Sequence, residues 1–575
     1  MVSNQIVIKF LKWDFLKLMD VEKIARKHAL INAVKFNGKA SLKSVIGKVM
    51  AEFKGEAKEI IKIIKEVVEE VNKLSLEEQK EEIKKLGIRI DEGKKKREIK
   101  LPPLPNAKKG EVVTRFPPEP NGYLHIGHAK AAIIDYEYAK MYDGIFILRF
   151  DDTNPLNEKK EFYEAQKEDL KWLGVEWDKE YRTSDNIPKH YELAKEMIEK
   201  GCAYICTCRE EEIRKNRRLG KECACRNRKE QPWDEFFKMK EGEAVIRLKG
   251  DMKSPNTAMR DPILFRIIDY PHPIHGKRFR VWPTYDFYGA IEDSLSGVTH
   301  PFRTKEYELR DEVYFYILNC LNLRKPNLME FSRLAIKGMP VSKRKLKPLI
   351  EKGFVRGWDD PRLPTLRGLK RRGILPDAIK EFVLSQGISK AESVVAFENL
   401  EAINRKMLDG VSRRFFFVSE PIKLFVENAP EKEVALKYHP SIDMGKRKIK
   451  TNGNFYISSE DAKNLEKGKK FRLKDLYNVI VKNKNDMILG SFAGEKLMDV
   501  PKIQWVSDEF IKVKVIIAMP PFKNGLFNPD SLKIIEGYAE KNLKNVKNGE
   551  IVQFERFGFV KIEKNGSIVG ILTHK

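Results

Sequence analysis

Cysteine is the scarcest reactive side chain here, with six residues in a chain of 575. That is too few for a disulfide-stapled scaffold. Four of the six, Cys206, Cys208, Cys223 and Cys225, fall within twenty residues. This clustering points to a reducing compartment, the cytoplasm by default, where thiols bind metal rather than pair. Long uncharged apolar runs are also missing. Met1–Lys17 mixes apolar residues with Lys9, Lys12 and Asp14 and has no small-residue cleavage site, so neither a signal peptide nor a membrane span is expected. No internal repeat or low-complexity tract is evident, which excludes repeat architectures. Acidic residues are in deficit, 84 against 110 lysines and arginines, for a formal charge of +26 spread along the chain. A polyanion such as nucleic acid suits that excess, although a thermophilic composition would give it too. The length allows roughly three to five domains.

What is present centres on Thr114-Arg115-Phe116-Pro117-Pro118-Glu119-Pro120-Asn121-Gly122-Tyr123-Leu124-His125-Ile126-Gly127-His128. Val112 and Val113 precede it, prolines and Asn121-Gly122 interrupt it, and an Ala-rich run (Ala129, Ala131, Ala132, Ile133, Ile134) follows. The pattern reads as strand, tight turn and helix start. A helix start leaves backbone N–H groups unpaired at its positive end, a ready site for phosphate oxygens. Gly127 permits close approach, while His125 and His128, three apart, share one face and can donate hydrogen bonds or positive charge. Alone, His-x-x-His would be a capping pair. The whole string, however, resembles the signature of class I aminoacyl-tRNA synthetases in their glutaminyl/glutamyl form. That resemblance implies ATP and Mg²⁺, with Pro118, Glu119, Pro120, Asn121, Gly122, His125, Gly127 and His128 at the nucleotide and the two histidines catalytic.

The chain in order extends this reading. Residues 20–90 read as helices; Ile60, Ile64, Val67, Val71 and Leu74 form one apolar stripe on a charged helix. Asp91 to Gly110, with Lys94–Arg97 and Leu101-Pro102-Pro103-Leu104-Pro105, reads as a linker. Gly144–Phe150 is an apolar strand ending at Asp151 and Asp152. Two strands joined by a helix imply a parallel pair, whose ligands lie beyond the carboxyl ends, so Asp151 is placed to meet a substrate ammonium. Asp152 can equally cap the next helix. The pairs Cys206/Cys208 and Cys223/Cys225 can give one tetrahedral ion four thiolates, with zinc the natural candidate and buried free thiols the alternative; Cys202 and Cys320 fall outside the pattern. The family carries a comparable zinc knot in its inserted domain, where Arg209, Arg214, Lys215, Arg217, Arg218, Arg226 and Arg228 suit the tRNA acceptor end.

The sheet is expected to resume at Val281-Trp282-Pro283. Tyr285, in the Tyr-Asp-Phe segment, resembles the family's amino-acid-pocket tyrosine. Glutaminyl enzymes typically have a small uncharged residue at the position of Arg303, whereas glutamyl enzymes have arginine. A substrate with two carboxylates needs two cations, and Arg115 and Arg303 supply them, each able to bind bidentately. Arg333 and Leu334, with Ser342, Lys343 and Arg344 in a lysine loop that departs from the family motif at Pro340 and Val341, complete the ATP set; Lys343 is the expected catalytic cation. From Arg413 onward, alternation such as Ile511, Val513 and Val515 against Lys512 and Lys514, and Val560 and Ile562 against Lys561 and Glu563, reads as half-buried strands of one or two β-barrels.

The expected fold is therefore multidomain. It has an N-terminal helical domain with linker (1–108), a Rossmann-like α/β catalytic domain (109–202 and 276–350) and an inserted acceptor-binding zinc domain (203–275). A helical stem (351–410) and anticodon-binding β-barrels (411–575) follow. The resemblance implies ATP-dependent glutamylation of tRNA(Glu), with tRNA(Gln) left open as a second acceptor and oligomeric state undetermined. Alternatives are a glutaminyl enzyme, a small-molecule nucleotidyltransferase and a silent tRNA-binding paralogue.

Overall fold

The computed structural model describes residues 21–34, 38–52, 57–86 and 101–575; the readings on Met1–Lys17 and Asp91–Lys100 lie outside them. The chain forms two compact units, Met1–Lys100 and Leu101–Lys575.

In the first unit, residues 21–34 are helical and three further helices follow, α1 (Leu42–Glu52), α2 (Ala57–Lys73) and α3 (Leu76–Lys85). The stripe on α2 is the buried face: Ile60, Ile64, Val67 and Val71 pack with Ala25, Ala29, Val45 and Val49. Ser75 caps α3 in a reciprocal capping box with Glu78.

The second unit begins earlier than the expected linker allows. Leu104 is buried in the catalytic core, its N–H bonds Tyr142 Oη at 2.9 Å, and Tyr138 Oη donates to the Pro102 carbonyl at 2.9 Å. The proline-rich patch is thus packed structure, because its backbone finds fixed partners on the next helix. That helix, α4 (Ile126–Met141), connects β1 (Val113–Phe116) to β2 (Ile145–Phe150), and the strands pair in parallel with Val113 opposite Ile145. β3 (Lys179–Arg182) adds in parallel to β2. On the other edge of β1, the Val113 carbonyl accepts from Thr299 N at 2.9 Å, which brings in β8 (Phe302–Thr304) and its parallel partner β9 (Met329–Phe331).

Between these halves lies an antiparallel sheet of β4 (Ala203–Cys206), β5 (Val245–Leu248), β6 (Ile263–Ile267) and β7 (Val281–Pro283). Val281–Pro283 therefore closes the inserted sheet, pairing with Phe265–Ile267, and does not resume the catalytic one as expected. A short apolar strand does not itself specify its partner. A second departure concerns cysteine: Cys202 and Cys320 form a disulfide across 118 residues, so the expectation that the thiols stay unpaired fails for this pair. The fold juxtaposes the start of β4 with the end of α9 (Asp311–Cys320), a proximity invisible at that separation.

The C-terminal part is β-structure, in two seven-stranded sheets together with short two-stranded ribbons. Val513, Val515, Val560 and Ile562 are buried while Lys512 and Lys514 face out, as the alternation requires. Among the described residues no helix is long and apolar enough to cross a membrane.

Candidate active site

The carboxyl ends of β1 (Arg115, Phe116), β2 (Asp151) and β8 (Arg303, Thr304) line one cavity of about 370 Å³, and the start of α4 (His125, Gly127, His128) forms another wall. Pro118, Glu119, Tyr285, Arg333 and Leu334 also line it. Asn121 and Gly122 line an adjoining cavity of about 220 Å³ that shares Glu119 and both histidines. Pro120 is buried beside these cavities, where its carbonyl accepts from Lys159 N at 3.1 Å.

At the α4 end of the cavity the two histidines do cap the helix. His125 Nδ1 accepts from the N–H groups of Gly127 (3.1 Å) and His128 (3.3 Å), His128 Nδ1 accepts from His125 N–H (3.2 Å), and the rings stack with centroids 3.7 Å apart. Burial, the His128 ring and Arg333 hold the His125 imidazole well below its usual range. A neutral ring whose Nδ1 is an acceptor carries its proton on Nε2. His125 therefore offers a hydrogen bond rather than the positive charge the sequence also allowed.

Gly127 has a reason beyond phosphate access: a Cβ there would stand 2.9 Å from His125 Cε1 and 3.0 Å from Nδ1. Gly127→Ala is expected to push that ring off its cap and lower kcat by about 100-fold, the usual consequence of an ångström-scale misplacement. Steady-state kinetics with a melting curve checks this, the melting temperature moving little.

At the other end Arg115 is less free than its sequence context suggested. Its Nε and Nη2 bind the two oxygens of Asp293 at 3.0 and 3.1 Å, and Nη1 donates to the Phe302 carbonyl at 2.8 Å. Three of its five N–H donors are used, so the side-on bidentate grip expected of it is already taken and two N–H groups remain. Arg303 keeps more in reserve. It pairs with Asp311 through Nη2 and lies over the Tyr314 ring at 5.2 Å, but its buried Nε has no partner among the described residues. Asp151 accepts from Arg149 Nε (2.7 Å) and Thr183 Oγ1 (3.0 Å), leaving Oδ2 with only a 3.4 Å contact to Arg149. Asp152 turns away from the cavity, bonded to Ser184 N and Oγ and to Tyr163 Oη, a structural role.

Sequence reasoning missed Tyr288 and Tyr307, which line the cavity around Tyr285 with centroids 5.8 and 4.7 Å from it, and it missed Arg149 and Asp293 beneath. Tyr288 lies one helical turn beyond Tyr285 on α8 (Tyr285–Leu295), a spacing that could have flagged it. In the lysine loop, Val341 lines the cavity and Ser342 precedes α10 (Lys343–Glu351); Arg344 is exposed, and the Lys343 side chain lies outside the described residues.

Some distance along the chain, Cys206, Cys208, Cys223 and Cys225 place their sulfurs within 4.8 Å of one another. Cys206–Cys223 and Cys208–Cys225 stand 3.8 and 3.9 Å apart. A tetrahedral ion with metal–sulfur bonds of about 2.3 Å sets its sulfurs about 3.8 Å apart, so the donor set fits zinc.

The fold and this pocket describe a candidate active site built at the carboxyl edge of a parallel sheet, and comparison with known proteins gives its class. The profile described as "tRNA synthetases class I (E and Q), catalytic domain" matches residues 111–410, and two profiles for the anti-codon binding domain match 412–492 and 502–563. The chain belongs to this family, the class I tRNA synthetases of the E and Q type. It is 46% identical to "Glutamate--tRNA ligase" of Cenarchaeum symbiosum over 97% of this chain and 100% of that one. With the protein of the same name from Pyrococcus furiosus the identity is 44%, over 97% and 100%. A solved glutamate tRNA ligase from Elizabethkingia meningosepticum, in complex with its amino acid, is 20% identical over 52% of this chain and 70% of that one, with a TM-score of 0.39.

Proposed function

We propose that the protein ligates L-glutamate to the 3′ end of tRNA(Glu) in cytoplasmic protein synthesis, with ATP as the energy source. Its relatives' names support glutamate, and so does the pocket. The observation that carries the choice of glutamate over glutamine is Arg303, a buried guanidinium that lines the cavity and whose Nε has no partner among the described residues. An arginine facing a neutral amide there would lack compensation, whereas a carboxylate accepts from it with charge assistance.

In the first step a glutamate α-carboxylate oxygen attacks the α-phosphorus of ATP and pyrophosphate leaves with its oxygen. In the second the terminal tRNA hydroxyl attacks the acyl carbon, AMP departs and the hydroxyl proton is released. No protein nucleophile is needed, so positioning and charge stabilisation carry the displacement. His125 Nε2–H meets a phosphate oxygen at the positive end of the α4 dipole, where the N–H groups of Ile126, Gly127 and His128 are already bonded within the protein. Lys343 adds a cation, Asp151 takes the ammonium, and Arg115 and Arg303 take the carboxylates. Mg²⁺, when bound with ATP, neutralises phosphate charge.

Charging assays with labelled glutamate and labelled glutamine, each with purified tRNA(Glu) and tRNA(Gln), test the proposal. Glutamate is transferred to tRNA(Glu) and glutamine to neither; transfer of glutamine would overturn it. The glutamate arm on tRNA(Gln) shows whether the second acceptor is used.

Zinc in the four-thiol knot completes the reading, as a structural ion holding the insertion that faces the acceptor end. The purified protein is expected to carry about one zinc per chain. Replacing Cys223 and Cys225 by serine abolishes it and raises KM for tRNA, while glutamate and ATP binding are retained; metal analysis and charging kinetics check both.

A further inference from the structure

One buried carboxylate ties both ends of the amino-acid pocket together. Asp293, on α8 and 1% exposed, receives Arg115 from β1 through two hydrogen bonds, Arg149 Nη1 from β2 at 2.7 Å, and Tyr314 Oη from α9 at 3.1 Å. Arg149, fully buried, uses its other edge to grip Asp151. The chain of contacts therefore runs Arg115, Asp293, Arg149, Asp151, and its two outer members line the cavity while its two inner members do not.

We propose that Asp293 is the positioning residue for both the carboxylate-binding and the ammonium-binding ends of the glutamate pocket. The inference rests on the placement of Arg115 and Asp151 at the substrate given above. Two arginines and two aspartates sum to zero charge in this buried row, and removing one carboxylate leaves a guanidinium uncompensated in a low dielectric. Burial alone pushes the Asp293 pKa up, but Arg115 and Arg149 pull it below the usual carboxylate range, so it is ionised at working pH. An asparagine there accepts through a single oxygen. With that oxygen at Oδ1 the NH₂ faces Arg115 Nη2 and Tyr314, and turned over it faces Arg149 Nη1 and Arg115 Nε, so one bond to Arg115 is lost either way and the bond to Arg149 is lost in the second. If Arg115 is released, the carboxylate end loosens; if Arg149 is released, Asp151 turns with it. Arg149 and Asp293 touch no substrate in this arrangement and act through their neighbours.

The test measures glutamate and ATP KM values in tRNA(Glu) charging, together with inhibition by (S)-2-hydroxyglutarate, which lacks the ammonium, and by 4-aminobutanoate, which lacks the α-carboxylate left to Arg115. Asp293→Asn is expected to raise the glutamate KM about 10- to 100-fold with the ATP KM unchanged, the scale of a misplaced binding group. The wild-type preference for glutamate should shrink about tenfold over at least the analogue that lacks the group held at the loosened end. A merely structural residue would weaken all three ligands and ATP by one common factor, and that result overturns the proposal. Tyr314→Phe, which removes one bond to Asp293 but keeps the ring beneath Arg303, is expected to move the same ratios about threefold in the same direction, the worth of one hydrogen bond. If Asp293→Asn does not fold, unchanged ratios in Tyr314→Phe overturn the proposal by themselves. Arg115→Gln separates the two layers of argument. An unaltered glutamate KM in that variant removes the substrate placement itself. A raised KM there, with unmoved ratios at Asp293, removes only the positioning role.

Discussion

Replacing Arg303 by glutamine is expected to lower kcat/KM for glutamate by about 10³-fold or more, the penalty a site built around a charged hydrogen bond shows when one partner is lost. That factor corresponds to about 4 kcal/mol of transition-state stabilisation. The size follows from the surroundings. Arg303 is 5% exposed, one wall beside it is the Tyr314 ring, and its Nε has no acceptor among the described residues. In so dry a place a carboxylate and a guanidinium interact far more strongly than in water. Glutamine should lose nothing, since an amide gains little from an arginine, so the glutamate-to-glutamine ratio collapses. ATP KM stays put because the nucleotide wall, with His125 and His128, is built from another element. Competition charging with both amino acids reads the ratio directly.

His125→Asn is expected to lower the rate of adenylate formation about 10²- to 10³-fold while the melting temperature hardly changes. Asparagine is among the best helix-capping residues, so it can take over the acceptor role that His125 Nδ1 plays toward the N–H groups of Gly127 and His128. It cannot reach into the cavity with a donor in place of Nε2–H. The substitution therefore separates the cap from the chemistry. ATP–pyrophosphate exchange measured with tRNA present gives the rate; an unchanged rate would instead mean that the cap was the main role.

The helix start that walls the cavity was legible because it is local. His125, Gly127 and His128 lie within one helical turn, and the strand before and helix after them carry their own periodicity. The thiol knot was legible by spacing for the same reason. The other end of the cavity was half legible: Arg115, Asp151, Tyr285 and Arg303 each stood in a recognisable string and all four line it. What holds them did not show. Asp293 binds Arg115 across 178 positions and Arg149 across 144, and nothing in an Ile-Glu-Asp-Ser string marks which carboxylate will face two guanidinium groups. The same blindness to long-range pairing hid the Cys202–Cys320 disulfide and assigned Val281–Pro283 to the wrong sheet. Periodicity reports which face of a strand is buried, not which neighbour buries it.

The most direct measurement is a structure with a non-hydrolysable glutamyl-adenylate analogue bound. The account predicts its phosphate at the N-terminus of α4 beside His125, its ammonium at Asp151, and its side-chain carboxylate at about 2.7–3.2 Å from an Arg303 nitrogen. An analogue bound with that carboxylate in solvent, or with Arg303 still turned only to Asp311, would contradict it.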